Sequence, residues 1–276
     1  MAKFTFEIDV YSDPICPWCY IGKEALDKAM ASFVAEHPDT EFKLTWKPYM
    51  LWPNAGVSAY DKGTLLQTVF GPNAPFIRRR LTQLGAQYDI DFKWEGKTGN
   101  SRDAHKLILL AMEKDAAAAA AAASQNGSTT PSPGSPTTTS NGLTNGTTTT
   151  TSTTPNGTPP PPTPPKPPHQ QTLQQTTTTH LYTTTFTTPD DISSRTTLAT
   201  LAVTLGLFPS EAAALTYLSD PEPGRKVDAA SRGARAVGVG AVPSYVVQGR
   251  WQVGGMQGEG VWRGVLEGDG AVMLAT

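Results

Sequence analysis

The sequence predicts an α/β fold with a helical insertion and a long low-complexity excursion inside that insertion. Three observations carry the prediction. Strand-like alternation gives way to helical spacing and returns to alternation within the first 48 residues. The middle of the chain carries helical spacing on both sides of a tract nearly free of charge. Strand character then comes back near the C-terminus.

Phe4, Phe6, Ile8 and Val10 alternate with Thr5, Glu7 and Asp9, the period-two pattern of a half-buried strand. From Cys19 the period changes. Ile21, Ala25, Met30 and Phe33 share one helical face, with Leu26, Ala29 and Val34 beside it. Phe42, Leu44 and Trp46 alternate again, which completes a strand–helix–strand opening. Helical patterns follow over residues 78–88 and 103–114, the second through Ala104, Leu107, Ile108, Ala111 and Met112.

After Asp115 the composition breaks. Eight alanines lead into Ser, Thr, Asn, Gly and Pro up to Pro168, and between Asp115 and Asp190 the one formally charged residue is Lys166. So little apolar surface cannot offset the entropy of ordering, so residues 116–168 are expected to be disordered. Within them, residues 159–168 favour polyproline II. Asn-Gly-Ser/Thr sequons begin at Asn126, Asn145 and Asn156 and are read as products of the composition. Residues 176–188 are rich in threonine, a mediocre helix former because its χ1 is restricted. His180, Leu181, Tyr182 and Phe186 keep an apolar spacing, which predicts a helix of low stability there.

Leu198, Leu201, Ala202 and Leu205 mark a helix ended by Gly206, and Ser210 is placed to cap the next. Val227, Ala230, Ala234 and Val237 give another before Gly238. Residues 244–247 read as a strand, Gln248-Gly249 as a turn, and Trp251 and Val253 as the second arm of a hairpin. Val261, Val265 and Leu266 suit a short closing helix. The expected division is 1–58 and 239–276 for the α/β part and 59–238 for the helical insertion.

Bulk properties narrow the function. A formal net charge of −2 over 276 residues argues against nucleic acid or an anionic membrane as the main partner. No run of 18 apolar residues occurs, and the N-terminus alternates instead of forming the apolar core of a signal peptide; a cytoplasmic protein is the expectation.

The chemistry concentrates in Cys16-Pro17-Trp18-Cys19, which holds both cysteines of the chain. Cys16 follows a strand and opens a helix, where unpaired N–H groups and the positive end of the helix dipole stabilise a thiolate. Pro17 suits the first helical turn, since its missing N–H has no intrahelical partner. Two intervening residues set Cys19 one turn on, within reach of a disulfide or of attack on a mixed one. A zinc half-site would need a second ligand pair, and His37, His105, His169 and His180 lack ligand spacing. Two inert buried cysteines remain the other alternative.

The segment Ser12-Asp13-Pro14-Ile15-Cys16-Pro17-Trp18-Cys19-Tyr20-Ile21-Gly22 resembles the active-site segment of the DsbA-like thioredoxin-fold family, especially its intracellular FrnE-type branch. Further segments agree in order: residues 44–53 (LTWKPYMLWP), 100–111 (NSRDAHKLILLA), 190–193 (DDIS), 240–245 (GAVPSY) and 254–257 (GGMQ). The resemblance covers the chain apart from 116–168, a tract the family does not normally carry. It implies a thioredoxin fold with an inserted α-helical domain and a protein disulfide oxidoreductase activity. It assigns Cys16 as attacking thiolate and Cys19 as resolving thiol. It makes Val242-Pro243 a cis peptide facing them, and together with Pro17 and Trp18 these residues would bind substrate. Without the resemblance, a trans proline at the start of an edge strand is the plainer reading of Pro243.

No metal or organic cofactor is implied. The partners are thiol or disulfide substrates, with glutathione as a possible co-substrate or a thioredoxin-type reductase to recycle the site. Related 2-hydroxychromene-2-carboxylate isomerases and kappa-class glutathione transferases share the architecture but place serine where Cys16 stands, so a glutathione-dependent isomerase or transferase is the rival enzyme class. A non-catalytic binding module is the third reading.

Asp13 is read as a turn-former before Pro14, with proton acceptance near the buried thiol as the sharper alternative. His105 is read as a surface or satisfied core histidine. Trp46, Trp52, Trp251 and Trp262 are read as core or groove walls, and Gly254-Gly255 as serving hairpin geometry.

Overall fold

The structure, a computed structural model, describes residues 4–57, 60–126 and 171–268. It opens with β1 (Phe4–Ser12), α1 (Pro17–Glu36) and β2 (Thr40–Pro48). There follow β3 (Tyr60–Asp61), α2 (Lys62–Phe70), a 3-10 turn at Gly71–Asn73, α3 (Ala74–Ala86), β4 (Lys97–Thr98) and α4 (Arg102–Asn126). Beyond residue 170 come α5 (Leu173–Thr187), α6 (Arg195–Thr204), α7 (Glu211–Ser219), α8 (Pro221–Ala236), β5 (Ser244–Val247), β6 (Trp251–Gly254) and α9 (Glu259–Glu267). Among the described residues no helix is long and apolar enough to cross a membrane.

The main sheet runs β2-β1-β5-β6, with β1 and β2 parallel and the other pairs antiparallel. Its two faces follow from the alternation. Phe6, Ile8 and Val10 are buried with their register partners Phe42, Leu44 and Trp46. The opposite face carries Glu7 beside Lys43 at 3.0 Å and Asp9 near Lys47 at 3.6 Å. These exposed pairs contribute little, at most about 1 kcal/mol each. The buried face is covered by α1 and by α9, whose Trp262 meets Tyr245 edge-on at 4.7 Å. Ser32 donates to Glu259 at 3.0 Å, and Arg263 to Glu36 at 2.6 Å, which fixes α9 along α1.

β2 is an edge strand, and an edge leaves backbone groups open. At Trp46 the Gln174 side chain closes it, accepting from the Trp46 N–H at 3.0 Å and donating to its carbonyl at 2.9 Å. Gln174→Ala leaves both buried groups without that partner. We expect it to lower the unfolding free energy by about 1–3 kcal/mol in urea denaturation.

One expectation is corrected here. Residues 116–124 are not disordered: α4 continues through the alanine run, with residues 116–124 exposed. Alanine has the highest intrinsic helix propensity, so a helix already started through Leu107, Ile108 and Ala111 extends along it without needing a face to bury. The rest of the tract, including residues 159–168 and the sequons at Asn145 and Asn156, lies outside the described residues. Asp115 gains a role from the continuing helix. Its carboxylate accepts from the Leu173 and Gln174 N–H groups at 2.9 and 2.8 Å, satisfying the start of α5 from across the insertion.

The threonine-rich helix does form. Thr176, Thr178, Thr179, Thr183, Thr185 and Thr187 each donate to the carbonyl four residues earlier, at 2.7 to 3.0 Å, so the hydroxyls are absorbed by the helix itself. Packing supplies the rest: Leu181 and Tyr182 are fully buried, and Tyr182 stacks on Tyr20 at 5.3 Å. The helix after 194, its Gly206 end (φ +68°), the Ser210 cap and the Gln248-Gly249 turn (φ +54° and +63°) all lie where the sequence puts them. The helix expected at 78–88 begins earlier, at Ala74, because Pro75 suits a first turn.

Candidate active site

β1 ends at Ser12, and a tight turn carries the chain into α1. Cys16 is the N-cap of that helix, extended at φ −95° and ψ 112°, with Pro17 in the first turn. Its own N–H donates to the Asp13 carbonyl at 2.9 Å, while its carbonyl accepts from the Cys19 and Tyr20 N–H groups at 3.1 and 3.3 Å. Both cysteines are free thiols, Cys16 3% and Cys19 1% exposed. The Cys16 Sγ faces the Val242 carbonyl oxygen at 3.8 Å, across 226 residues of sequence. The Val242–Pro243 peptide bond is cis.

The Val242–Pro243 loop is held from three sides. Tyr49 Oη donates to the Gly240 carbonyl at 3.2 Å, and the Gly255 N–H donates to the Pro243 carbonyl at 2.8 Å. Gly255 sits at φ +73°, which favours glycine, so the pair Gly254-Gly255 serves the loop as well as the hairpin. Behind Tyr49, the Arg235 guanidinium lies over the ring at 4.2 Å and donates to the Met50 carbonyl. From the third side α1 approaches at Gly22, where a Cβ would lie 2.5 Å from Tyr245 Oη and 3.1 Å from Pro243 Cγ. Gly22 thus sets how closely the helix bearing both thiols meets the proline loop.

Beside Cys16 opens an apolar groove of about 320 Å³. Ile15, Pro17 and Trp18 form one wall and Leu51 and Trp52 another. Leu65, Leu66, Val69 and Phe70 of α2 close it from above, with Trp94, Phe186, Ala241 and Val242 completing the lining. Lys62 enters the wall almost fully buried, its amine donating to the Thr188 and Asp190 carbonyls at 3.2 and 3.3 Å. Burial lowers the Lys62 pKa against the opposing pull of Asp191, Asp190 and Glu95.

The structure therefore brings Cys16, Cys19, Pro17, Trp18, Val242 and Pro243 to one place. Of the four tryptophans singled out, Trp52 is a groove wall, Trp46 and Trp262 are core, and Trp251 lies half-buried on β6 under Arg250. Asp13 is fully buried and does form the turn, Oδ1 accepting from the Ile15 N–H at 3.3 Å. It also reaches Leu51, whose N–H it binds at 2.7 Å through Oδ2, tying the thiol turn to the groove wall. His105 is buried, but among the described residues neither ring nitrogen has a hydrogen-bond partner. Sequence reasoning missed α2 as a wall, although Leu65, Leu66, Val69 and Phe70 carry helical spacing. Tyr49 and Arg235 gave no signal, because their partners are distant in the chain.

The two thiols are chemically unequal. Burial pushes the Cys19 thiol well up, assisted by its hydrogen bond to Cys16 and the charge there, with the Asp13 backbone N–H acting the other way. A cysteine in the unfolded chain titrates near ~8.5, so Cys19 supports the reduced fold fully below that pH. The contribution is lost as pH rises through the raised folded value. In urea unfolding between about pH 8 and pH 10 we expect the reduced protein to weaken by up to about 1.4 kcal/mol per pH unit from this group. Cys19→Ser should show a shallower slope. Tyr182 and Tyr245, also pushed up by burial, add to the loss only at higher pH, from about 10.

Residues 7–127 match the family model described as the DSBA-like thioredoxin domain. Comparison with curated proteins gave no match. Among solved structures the fold is similar to that of a probable DsbA oxidoreductase from Streptomyces coelicolor, at 19% identity and a TM-score of 0.67, covering 95% of this chain and 88% of that one. It is also similar to the cytosolic disulfide reductase DsbM from Pseudomonas aeruginosa in a structure with GSH. That likeness has 16% identity and a TM-score of 0.50, over 95% of this chain and 98% of the other.

Proposed function

For a chain that carries a DSBA-like thioredoxin domain, we propose thiol–disulfide oxidoreductase activity by dithiol–disulfide exchange at Cys16 and Cys19. The observation that carries the reading is the placement of the two thiols. Cys16 caps a helix at the mouth of an apolar groove, and Cys19 sits behind it, held protonated by burial.

The Cys16 thiolate attacks one sulfur of a substrate disulfide and releases the other as a thiolate. The Cys16–substrate mixed disulfide is then resolved. Cys19 loses its proton and attacks Cys16 Sγ, the Cys16–Cys19 disulfide forms, and the second substrate sulfur leaves as a thiolate. The substrate gains two electrons and the protein loses two; the reverse sequence oxidises a dithiol. Pro17, Trp18, Val242 and Pro243 are the substrate contacts in this reading. An extended segment would lie along the Val242–Pro243 backbone with its side chains toward the groove.

Glutathione or a thioredoxin-type reductase would recycle the site, and a cytoplasmic location, like that of the cytosolic DsbM, fits that supply. In this reading segments 1–58 and 239–276 form the catalytic thioredoxin part and 59–238 the helical insertion. The test is turnover of a peptide with one disulfide, with glutathione as reductant. Many cycles per protein molecule support the reading, and a rate no higher than glutathione alone contradicts it.

A further inference from the structure

Cys16 is 3% exposed beside its groove, so the groove and its rim decide which disulfides reach the sulfur. The lining is mostly apolar and holds no carboxylate among the described residues. Its two charged groups are lysines, and each already has an acceptor. Lys62 donates to the Thr188 and Asp190 carbonyls, and Lys93 pairs with Asp91 at 2.6 Å. The lining therefore offers no unpaired charge to a substrate.

The unpaired charge lies on the flank. α3 packs against α2, which closes the groove from above. It carries Arg78, Arg79 and Arg80 in succession and no acidic residue. All three arginines are exposed, and among the described residues none forms an ion pair. Elsewhere Arg102, Arg195, Arg225 and Arg263 each pair with a carboxylate. The excess is local: residues 60–98 hold six Lys and Arg against four Asp and Glu, in a chain whose net charge is −2.

Arg78 joins this patch to the groove, its guanidinium 5.8 Å from the ring centre of Trp94, which lines the groove. At about 100° per residue, Arg79 and Arg80 turn onto the outer side of α3. Phe76, one turn earlier on that side, is 56% exposed. Val69 at the end of α2 is 46% exposed and also lines the groove. Apolar and cationic surface thus run together outward from the thiol. Neighbouring cations that the fold leaves unpaired repel one another, and an incoming anion relieves that repulsion.

We propose that this flank selects acidic substrates: a disulfide-bearing segment of a partner protein lays an apolar side chain in the groove while its Asp or Glu residues meet Arg78, Arg79 and Arg80. The inference rests on the dithiol reading and adds a substrate class to it; the exchange chemistry is that of the dithiol cycle. Exposed ion pairs add little to a finished complex and act mainly on the rate of encounter. The selection should therefore appear in the bimolecular rate and fade as salt screens it.

The experiment uses the reduced full-length protein and two synthetic peptides, each closed by one disulfide with a phenylalanine beside it. One carries four Asp or Glu residues, and the other has lysine at those positions. Each peptide's rate constant is divided by its own rate with the neutral reductant dithiothreitol, which removes differences in intrinsic reactivity. At low salt the acidic peptide should be favoured by at least ~10-fold, the lower end of electrostatic steering. In about 1 M salt, where screening acts within ~3 Å, the preference should largely vanish. The double variant Arg79→Gln/Arg80→Gln should cut the low-salt preference by at least ~3-fold, through loss of two steering charges. The readout is a ratio, so a general loss of activity cancels. A wild-type ratio of 1 or below at low salt, or a preference that high salt or the double variant leaves unchanged, overturns the inference alone. If neither peptide exchanges, the dithiol reading falls and this inference with it.

Discussion

Cys16→Ser is expected to reduce disulfide exchange to the rate without protein while leaving the fold in place. Serine keeps the geometry: its hydroxyl is close in size to the thiol and still donates toward the Val242 carbonyl, which Cys16 Sγ faces at 3.8 Å. What it removes is the sulfur that must form the mixed disulfide, so no fraction of the reaction survives. Its stability should stay within about 1 kcal/mol of wild type, since nothing in the packing changes. Cys19→Ser should behave differently. It leaves the attack step, so the protein accumulates as a mixed disulfide instead of turning over. The contrast separates the dithiol reading from a glutathione-dependent one, because only the dithiol reading needs both sulfurs. Exchange activity surviving in Cys16→Ser would contradict the assignment of the nucleophile.

Trp262→Ala should be the most damaging change outside the thiols. Trp262 is fully buried in α9, edge-on to Tyr245 at 4.7 Å, and α9 covers the sheet face that Ile8 and Val10 line. Removing a buried tryptophan side chain typically costs about 3–5 kcal/mol in lost transfer energy and residual cavity. The indole Nε1 has no hydrogen-bond partner among the described residues, so none is forfeited and the loss is one of packing. The effect should reach the site, because Tyr245 Oη lies against Gly22, which also adjoins Pro243. Urea unfolding should show the full loss, with exchange activity reduced at temperatures where the variant is still folded. A loss below about 1 kcal/mol would mean that α9 is not a cover of the core.

The two halves of the site differ in how openly the sequence displays them. Cys16 and Cys19 are four residues of chain bounded by a strand pattern and a helix pattern, so local periodicity alone places them at a helix N-terminus. Pro243 is another matter. Nothing local distinguishes it from a proline opening an edge strand, and the meeting of the Val242–Pro243 loop with Cys16, through the Val242 carbonyl 226 residues away, was expected only from the family resemblance. The groove is less legible still. Leu65, Leu66, Val69 and Phe70 read as an ordinary apolar helix face, and only tertiary packing leaves that face open beside a thiol. His105 shows the same limit, since burial against Asp13 follows from how α4 meets the β1–α1 turn and leaves no mark on neighbouring residues.

The main error about an element had a local cause, and the threonine-rich helix, which the sequence did predict, shows the contrasting case. The alanine run at 116–123 lacks charge and large apolar groups, which suggests disorder, yet alanine extends a helix that is already nucleated. In α5 the apolar spacing predicted a helix despite the threonines, and the structure forms it with hydroxyls bonded back to the helix and aromatic packing from Tyr182 and Phe186 onto Tyr20. Propensity was the minor effect in the second case and the deciding one in the first. The difference is that α5 has a face to bury and the alanine run does not.

The central claim is that Cys16 and Cys19 form one redox couple, and a glutathione redox titration of the purified protein tests it most directly. The reduced and oxidised populations are alkylated and counted by mass at each glutathione ratio. The account expects a two-electron transition to an intramolecular Cys16–Cys19 disulfide at a potential between about −270 and −120 mV, the span of thioredoxin-like enzymes. A single glutathione adduct that persists across the titration, or two thiols that never pair, would contradict it.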